Sequence, residues 1–343
     1  MIRHNMKEEL SLCDQMEWRI NFRAISGITS GLFIVLALVT NDAKANACAH
    51  NSIAEASQLV IDVDFENALV RPKKNSPQVD RLHMQMPSGK NSRLPIQYEG
   101  GSLSDRFAKI VPDPVQAGNQ VLQFWLKNAE VAGYKKGSKK GRVQINIPKL
   151  QEKALVARYR MYLHPDIKHY QTYPKRSGWF TISELWMGEN WTNEHRYPFR
   201  ISLGIAKESG VNQPLGFHVS ATTDVKPGKS EKWVKSWAKV NKDFEVPLGE
   251  WMDIEFGYRQ GNSKTGRFYL TVKREKDTVA TTIFDVTDWT YSSRSKKPIP
   301  LTTFQPLKIY TSEAIVSHIR NKGGAAQIYF DDFQICRVPK NDR

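Results

Sequence analysis

Apolar and polar residues alternate with a period of two through much of this chain. The clearest run, RVQINI at 142 to 147, sets Val143, Ile145 and Ile147 to one side and Arg142, Gln144 and Asn146 to the other. That is the pattern of a half-buried β-strand. Comparable short runs occupy 119 to 131, 154 to 164, 178 to 187, 197 to 206 and 215 to 223. Others follow at 251 to 260, 266 to 275, 280 to 289, 307 to 314 and 325 to 336, and an early one ends at Phe65. Between Phe65 and about residue 118 the chain is rich in Pro, Gly, Ser and Asn and predicts loop, while SEKWVKSWAKV at 230 to 240 predicts a short helix or a lid-like loop. No long helix stands out. Many strands of similar length predict an all-β sandwich rather than a parallel α/β fold. With no internal repeat and no sharp linker, residues 48 to 343 are expected to form a single domain.

The longest apolar stretch, 27 to 40, follows Arg19 and Arg23 and precedes the small-residue segment AKANA. It is shorter than the ~20 residues of a membrane span and has the layout of an export signal. Cleavage after Ala45 or Ala47 is expected to release a secreted or periplasmic protein with no transmembrane segment, with retention as a membrane anchor the alternative. Removal of residues 1 to 47 leaves Cys48 and Cys336, one near each end, and an oxidising compartment permits a disulfide between them. Two free thiols are the plain alternative.

Of the 343 residues, 40% are apolar and 25% charged, which excludes a disordered or membrane-embedded chain. The net charge of +15 survives signal removal, because residues 1 to 47 carry five basic and five acidic side chains. Such an excess calls for an anionic partner. Nucleic acid is not expected, since no helix-turn-helix, zinc finger or RNP-like motif accompanies the charge. An acidic polysaccharide fits both the charge and export. No CxxC, HExxH or calcium-loop pattern is present, so no metal or other cofactor is predicted, and structural calcium has no motif behind it. The chain is expected to be a monomer.

Candidate chemistry sits on the strands. In FTISELW, alternation groups Thr181, Ser183 and Leu185 on one face and Ile182, Glu184 and Trp186 on the other. A buried carboxylate there needs a cation, and an exposed one can line a groove beside an aromatic sugar platform. Arg200 and His218 lie on neighbouring candidate strands, and histidine exchanges protons near neutral pH. In WMDIEFGYRQ, Asp253 and Glu255 share a face, with Tyr258 and Arg259 further along.

The order of GRVQINI, GWFTISELWMGENW, WMDIEFGYRQGNSKTGRFYLTV and IYFDDFQI, spanning 119 to 336, resembles secreted concanavalin A-like lectin and glucanase domains, and among them jelly-roll polysaccharide lyases. The resemblance implies a jelly-roll sandwich of two antiparallel sheets and β-elimination on a uronate-containing chain. An arginine such as Arg142 or Arg200 would neutralise the uronate carboxylate. His218 or Tyr258 would take the C5 proton, and a tyrosine would protonate the leaving oxygen. Gln144, Glu184, Trp186, Arg200, Glu255 and Arg259 are the expected substrate contacts. RVQINI lacks the Glu-Leu continuation of the jelly-roll alginate lyases, and no clear Gln-x-His motif is present. A hydrolase using the carboxyl pair Glu184 and Glu255, with Glu189 in reserve, is one alternative. A non-catalytic carbohydrate-binding protein with Trp179, Trp186, Trp191 or Trp251 as platforms is the other.

Overall fold

The period-two runs become strands that bury one side of each. A computed structural model describes residues 58–338, apart from 74–75, 77, 87–88, 130–139, 189–196 and 226–231. The first strands are β1 (Gln58–Val63), β2 (Leu69–Pro72), β3 (Val79–Gln85), β4 (Asn91–Glu99), β5 (Arg106–Pro112) and β6 (Gln120–Leu126). Next come β7 (Lys140–Ile145), β8 (Ile147–Glu152), β9 (Ala154–Leu163), the short helix α1 (Lys168–Gln171), β10 (Ser177–Met187), β11 (Phe199–Lys207), β12 (Gly216–Asp224) and β13 (Trp233–Val240). The chain continues through β14 (Trp251–Arg259), β15 (Arg267–Arg274), β16 (Thr281–Thr287), β17 (Leu301–Gln305), β18 (Lys308–Ser312), the helix α2 (Glu313–Arg320) and β19 (Ala326–Arg337).

The strands form two antiparallel sheets, an all-β jelly-roll sandwich. The smaller runs β16-β15-β14-β9-β19-β6-β5, with β1 also paired to β19. The larger runs β13-β12-β11-β10-β18-β7-β4-β3-β2, with β17 beside β10 and β8 beside β17. Phe180, Phe199, Phe217 and Phe304 from the larger sheet meet Tyr159, Phe256 and Phe268 from the smaller. The rings of Phe256 and Phe304 touch edge to face at 5.7 Å. Each such fully buried phenylalanine stabilises the fold by about 1.5–3 kcal/mol.

Three expectations are corrected. The Pro/Gly-rich stretch after Phe65 contains β2, β3, β4 and β5, held by long-range pairing such as Ile96 opposite Ile145. Residues 233 to 240 form the edge strand β13, because β12 offers a free ladder and Trp237 enters the core. The run at 307 to 314, read as a strand, ends at Ser312, and residues 313 to 320 form a helix capped by Ser312, whose Oγ accepts the Ile315 N–H.

β10 departs from simple alternation. A register shift between Thr181 and Ser183 places Phe180 and Ile182, then Leu185 and Met187, in the core. Glu184 and Trp186 thereby share the outer face with Thr181, and Ile182 and Leu185 point inward instead of joining either polar set. On the neighbouring strand, a side chain at Gly204 has no room: its Cβ would lie 2.6 Å from the Phe180 carbonyl oxygen.

Cys336 on β19 is disulfide-bonded, and its partner lies outside the described residues, as do Cys48 and the segment 1 to 47. No helix among the described residues is long and apolar enough to cross a membrane.

Candidate functional site

Strand register arranges the outer face of the larger sheet in rows. In the central row, Gln97 faces Gln144, Gln144 faces Lys308, Gln305 faces Glu184, Glu184 faces Ser202, and Ser202 faces Ser220. An adjacent row carries Glu99, Arg142, Tyr310, Thr181, Gly204 and His218. On the other side lie Trp186, Arg200, Thr222 and Lys235.

A buried ion pair anchors the centre. Lys308 Nζ donates to Glu184 Oε2 and, at 2.6 Å, to Gln305 Oε1. The two charged side chains are only 1% and 4% exposed. Ser202 Oγ donates to Glu184 Oε1 at 2.9 Å, and the Arg200 guanidinium lies 3.9 Å from that oxygen. Burial pushes the Glu184 carboxyl up, but Lys308, Arg200 and the hydrogen bonds outweigh it and hold the group down to about 2. Burial lowers Lys308 to about 8 against the pull of Glu184. The pair positions what surrounds it.

Arg200 spans two indoles. Its guanidinium carbon lies 5.4 Å from the Trp186 ring centroid and 4.6 Å from that of Trp233, and the indoles meet edge to face at 5.7 Å. Its Nε donates to Thr222 Oγ1 at 3.0 Å. The result is a guanidinium held against two mutually perpendicular indoles.

Tyr310 stands on the other side of the ion pair, with Trp179 edge-on at 5.3 Å. Three cations surround its ring: Lys308 at 4.9 Å from the centroid, Arg142 at 5.9 Å and Lys140 at 5.9 Å. Burial pushes the phenol above its ordinary value, helped by Glu99 and Glu184 and opposed by Arg142 and Arg200. Arg142 reaches Glu99 at 3.5 Å, while its Nε and the neighbouring Gln144 Oε1 are buried without hydrogen-bond partners. Unspent donors and acceptors of this kind lie just beneath the outer face, where a polar partner is missing.

The structure distributes the sequence candidates unevenly. Arg142, Gln144, Glu184, Trp186 and Arg200 come together on this face. His218 lies in the Tyr310 row but three strands away, about 14 Å at ~4.8 Å per strand, and one strand further from Arg142. The expected trio of Arg142, His218 and Tyr258 is therefore not assembled. Tyr258 is fully buried in the core, its hydroxyl 3.4 Å from Met187 Sδ and its ionisation disfavoured by burial. It reaches neither outer face.

The carboxyl pair of Glu184 and Glu255 is separated as well. Glu255 sits on the outer face of the smaller sheet, paired with Arg158 and accepting from Tyr269 Oη at 2.9 Å. With the core between them, the two carboxyls cannot flank one glycosidic bond. Glu184 is also held ionised, the opposite of what a proton donor needs. Arg259 belongs to the smaller sheet too, its Nε bonded to the Thr265 carbonyl, and Trp251 is buried there against Asp113. Glu189 and Trp191 lie outside the described residues. Sequence reasoning missed Lys308, Tyr310 and Trp233. The first two were legible as the polar positions of LKIYTS, which alternate with Leu307 and Ile309.

No family model matches the sequence, and no curated protein matches it. Solved structures do. The chain is similar to a PL-14 alginate lyase from Aplysia kurodai at 12% identity and TM-score 0.41, over 67% of this chain and 87% of that one. It is similar to the alginate lyase Aly36B at 11% identity and TM-score 0.42, over 82% and 98%. An endo-β-1,4-glucuronan lyase from the fungus Trichoderma reesei matches at 10% identity and TM-score 0.38, over 71% and 96%. No side chain takes a role from these likenesses, and the chemistry rests on the residues described above.

Proposed function

We propose that this protein binds an acidic, uronate-containing polysaccharide across the outer face of its larger sheet and cleaves it by β-elimination. The observation that carries this reading is the Tyr310 phenol set among Lys308, Arg142 and Lys140, beside the unpartnered polar atoms of Arg142 and Gln144. Arg142, beside the unpartnered Gln144 carbonyl, neutralises the uronate carboxylate and so stabilises the charge that develops as the C5 proton leaves. Tyr310 takes that proton as a phenolate and returns it to the departing glycosidic oxygen. Arg200 with Trp186 and Trp233 supports neighbouring sugars.

Because the free phenol is held above its ordinary value, the phenolate fraction is small near neutrality and grows tenfold per pH unit. The rate is therefore expected to climb steadily from neutral to alkaline pH. The test follows absorbance near 235 nm and reducing ends together on alginate, glucuronan and heparin-like chains. New ends with rising absorbance support elimination; new ends without it would establish hydrolysis and sink the reading. We place the protein outside the cytoplasm, a reading supported by the apolar stretch at 27 to 40 and by the disulfide at Cys336.

A further inference from the structure

The far end of the Tyr310 row opens into a cavity of about 440 Å³ that the cleavage chemistry does not use. Strands β11, β12 and β13 line it, with His218 and Ser220 on its wall and Lys235 beside them. His218 Nδ1 is buried without a hydrogen-bond partner. Burial, and then the Lys235 charge, lower the imidazole below its ordinary value, so it meets a ligand neutral, with one nitrogen to donate and one to accept.

The charges around the cavity are not equivalent. Lys207 is held by the carbonyls of Tyr173, Glu208 and Gly210 at 2.6 to 2.8 Å. Glu208 engages Arg176 at 3.6 Å and Lys242 at 3.1 Å. No described carboxylate pairs with Lys235, which leaves its ammonium for a ligand despite Glu245 elsewhere on the lining. Between Tyr310 and this cavity the row holds only Thr181 and Gly204, and the Phe180 carbonyl keeps the latter position bare.

We infer that the His218 cavity is a second anchoring site, which binds the carboxylate of a uronate residue a few sugars along the chain whose bond is broken at Tyr310. This rests on the reading above. Lys235 supplies the opposing charge, and His218 and Ser220 supply hydrogen bonds to the sugar hydroxyls. The site therefore selects long acidic chains over short ones, and acidic over neutral.

The imidazole is its own reporter. The full chain, with His218 assigned through His218→Gln, is titrated with hexaglucuronate, triglucuronate and neutral cellohexaose while the ring nitrogens are followed by NMR. The hexamer is expected to move the His218 signals in wild type and in Tyr310→Phe, with little response to the trimer and none to cellohexaose. Lys235→Gln is expected to cut the hexamer-over-trimer preference about tenfold, the loss of one charge-assisted contact. Unmoved His218 signals, an equal response to cellohexaose, or an unaltered preference in Lys235→Gln would each overturn the inference. The two readings fail separately: product at 235 nm with a silent His218 removes the second site alone, whereas a responding His218 without product removes β-elimination alone.

Discussion

The outer faces of the two sheets are built by the same alternation yet end in opposite states. On the smaller sheet, polar side chains mostly answer one another: Arg158, Glu255 and Tyr269 form one group, Gln123, Gln327 and Tyr329 a second, and Asp113, Asn119 and Asp331 a third. On the larger sheet one buried ion pair is satisfied, while Arg142, Gln144 and His218 beside it keep atoms without partners. Polar content alone therefore does not mark a functional face. The smaller sheet also keeps such atoms, at Arg158 and Arg274, and what distinguishes the larger sheet is that its unpartnered atoms lie next to unbalanced positive charge.

The strongest way to break this contrast is to remove its anchor. Lys308→Met leaves Glu184 buried opposite an apolar side chain and is expected to cost about 3–5 kcal/mol in denaturant unfolding. The double variant with Glu184→Leu should recover most of that loss. The same pair sets an acid limit. Glu184 is held at about 2 against an ordinary 4.5, so unfolded chains bind more protons between those values. Its contribution is present above about 4.5 and is lost as pH falls toward 2. Tyr310→Phe comes next: elimination should drop about 100-fold or more with the melting transition unmoved. A variant that kept its rate would remove Tyr310 from the chemistry.

The smaller sheet supplies the controls. Glu255→Ala breaks the group with Arg158 and Tyr269 and is expected to cost about 1–3 kcal/mol, while cleavage at saturating substrate is retained. Loss of turnover in that folded variant would revive a role for Glu255. The smallest effect has the opposite sign. Burial, opposed by Asn119, raises Asp331 to about 6 from 3.8, so its ionisation weakens the native state as pH rises through that interval. Asp331→Asn should gain on the order of 1 kcal/mol at neutral pH, with the gain vanishing below about pH 4.

Much of the fold was legible because burial of one strand face leaves a period-two trace. RVQINI placed Val143 and Ile145 inward and Arg142 and Gln144 outward, as observed. Strands β2 to β5 were not legible, since their partners lie far along the chain and their composition is that of loops. Of the candidate face, Arg142, Gln144, Glu184, Trp186 and Arg200 were legible by their place on the polar sides of strands. Tyr258 misled because a tyrosine buried for packing and one exposed for chemistry look alike within a strand. Glu255 misled because alternation assigns a residue to a face of its own sheet and does not say which sheet that is.

The register shift in β10 works as a parity switch. Core positions are even-numbered at Phe180 and Ile182 and odd-numbered at Leu185 and Met187. Every side chain downstream owes its side of the sheet to one uncounted residue. Were the bulge drawn straight, with Ile182 taking the place of Ser183 opposite Leu203, the same residues would still spell a good strand, but Glu184 and Trp186 would turn into the core and Leu185 toward solvent. The candidate face is thus encoded partly in a count, which most substitutions leave intact and a one-residue slip of register erases.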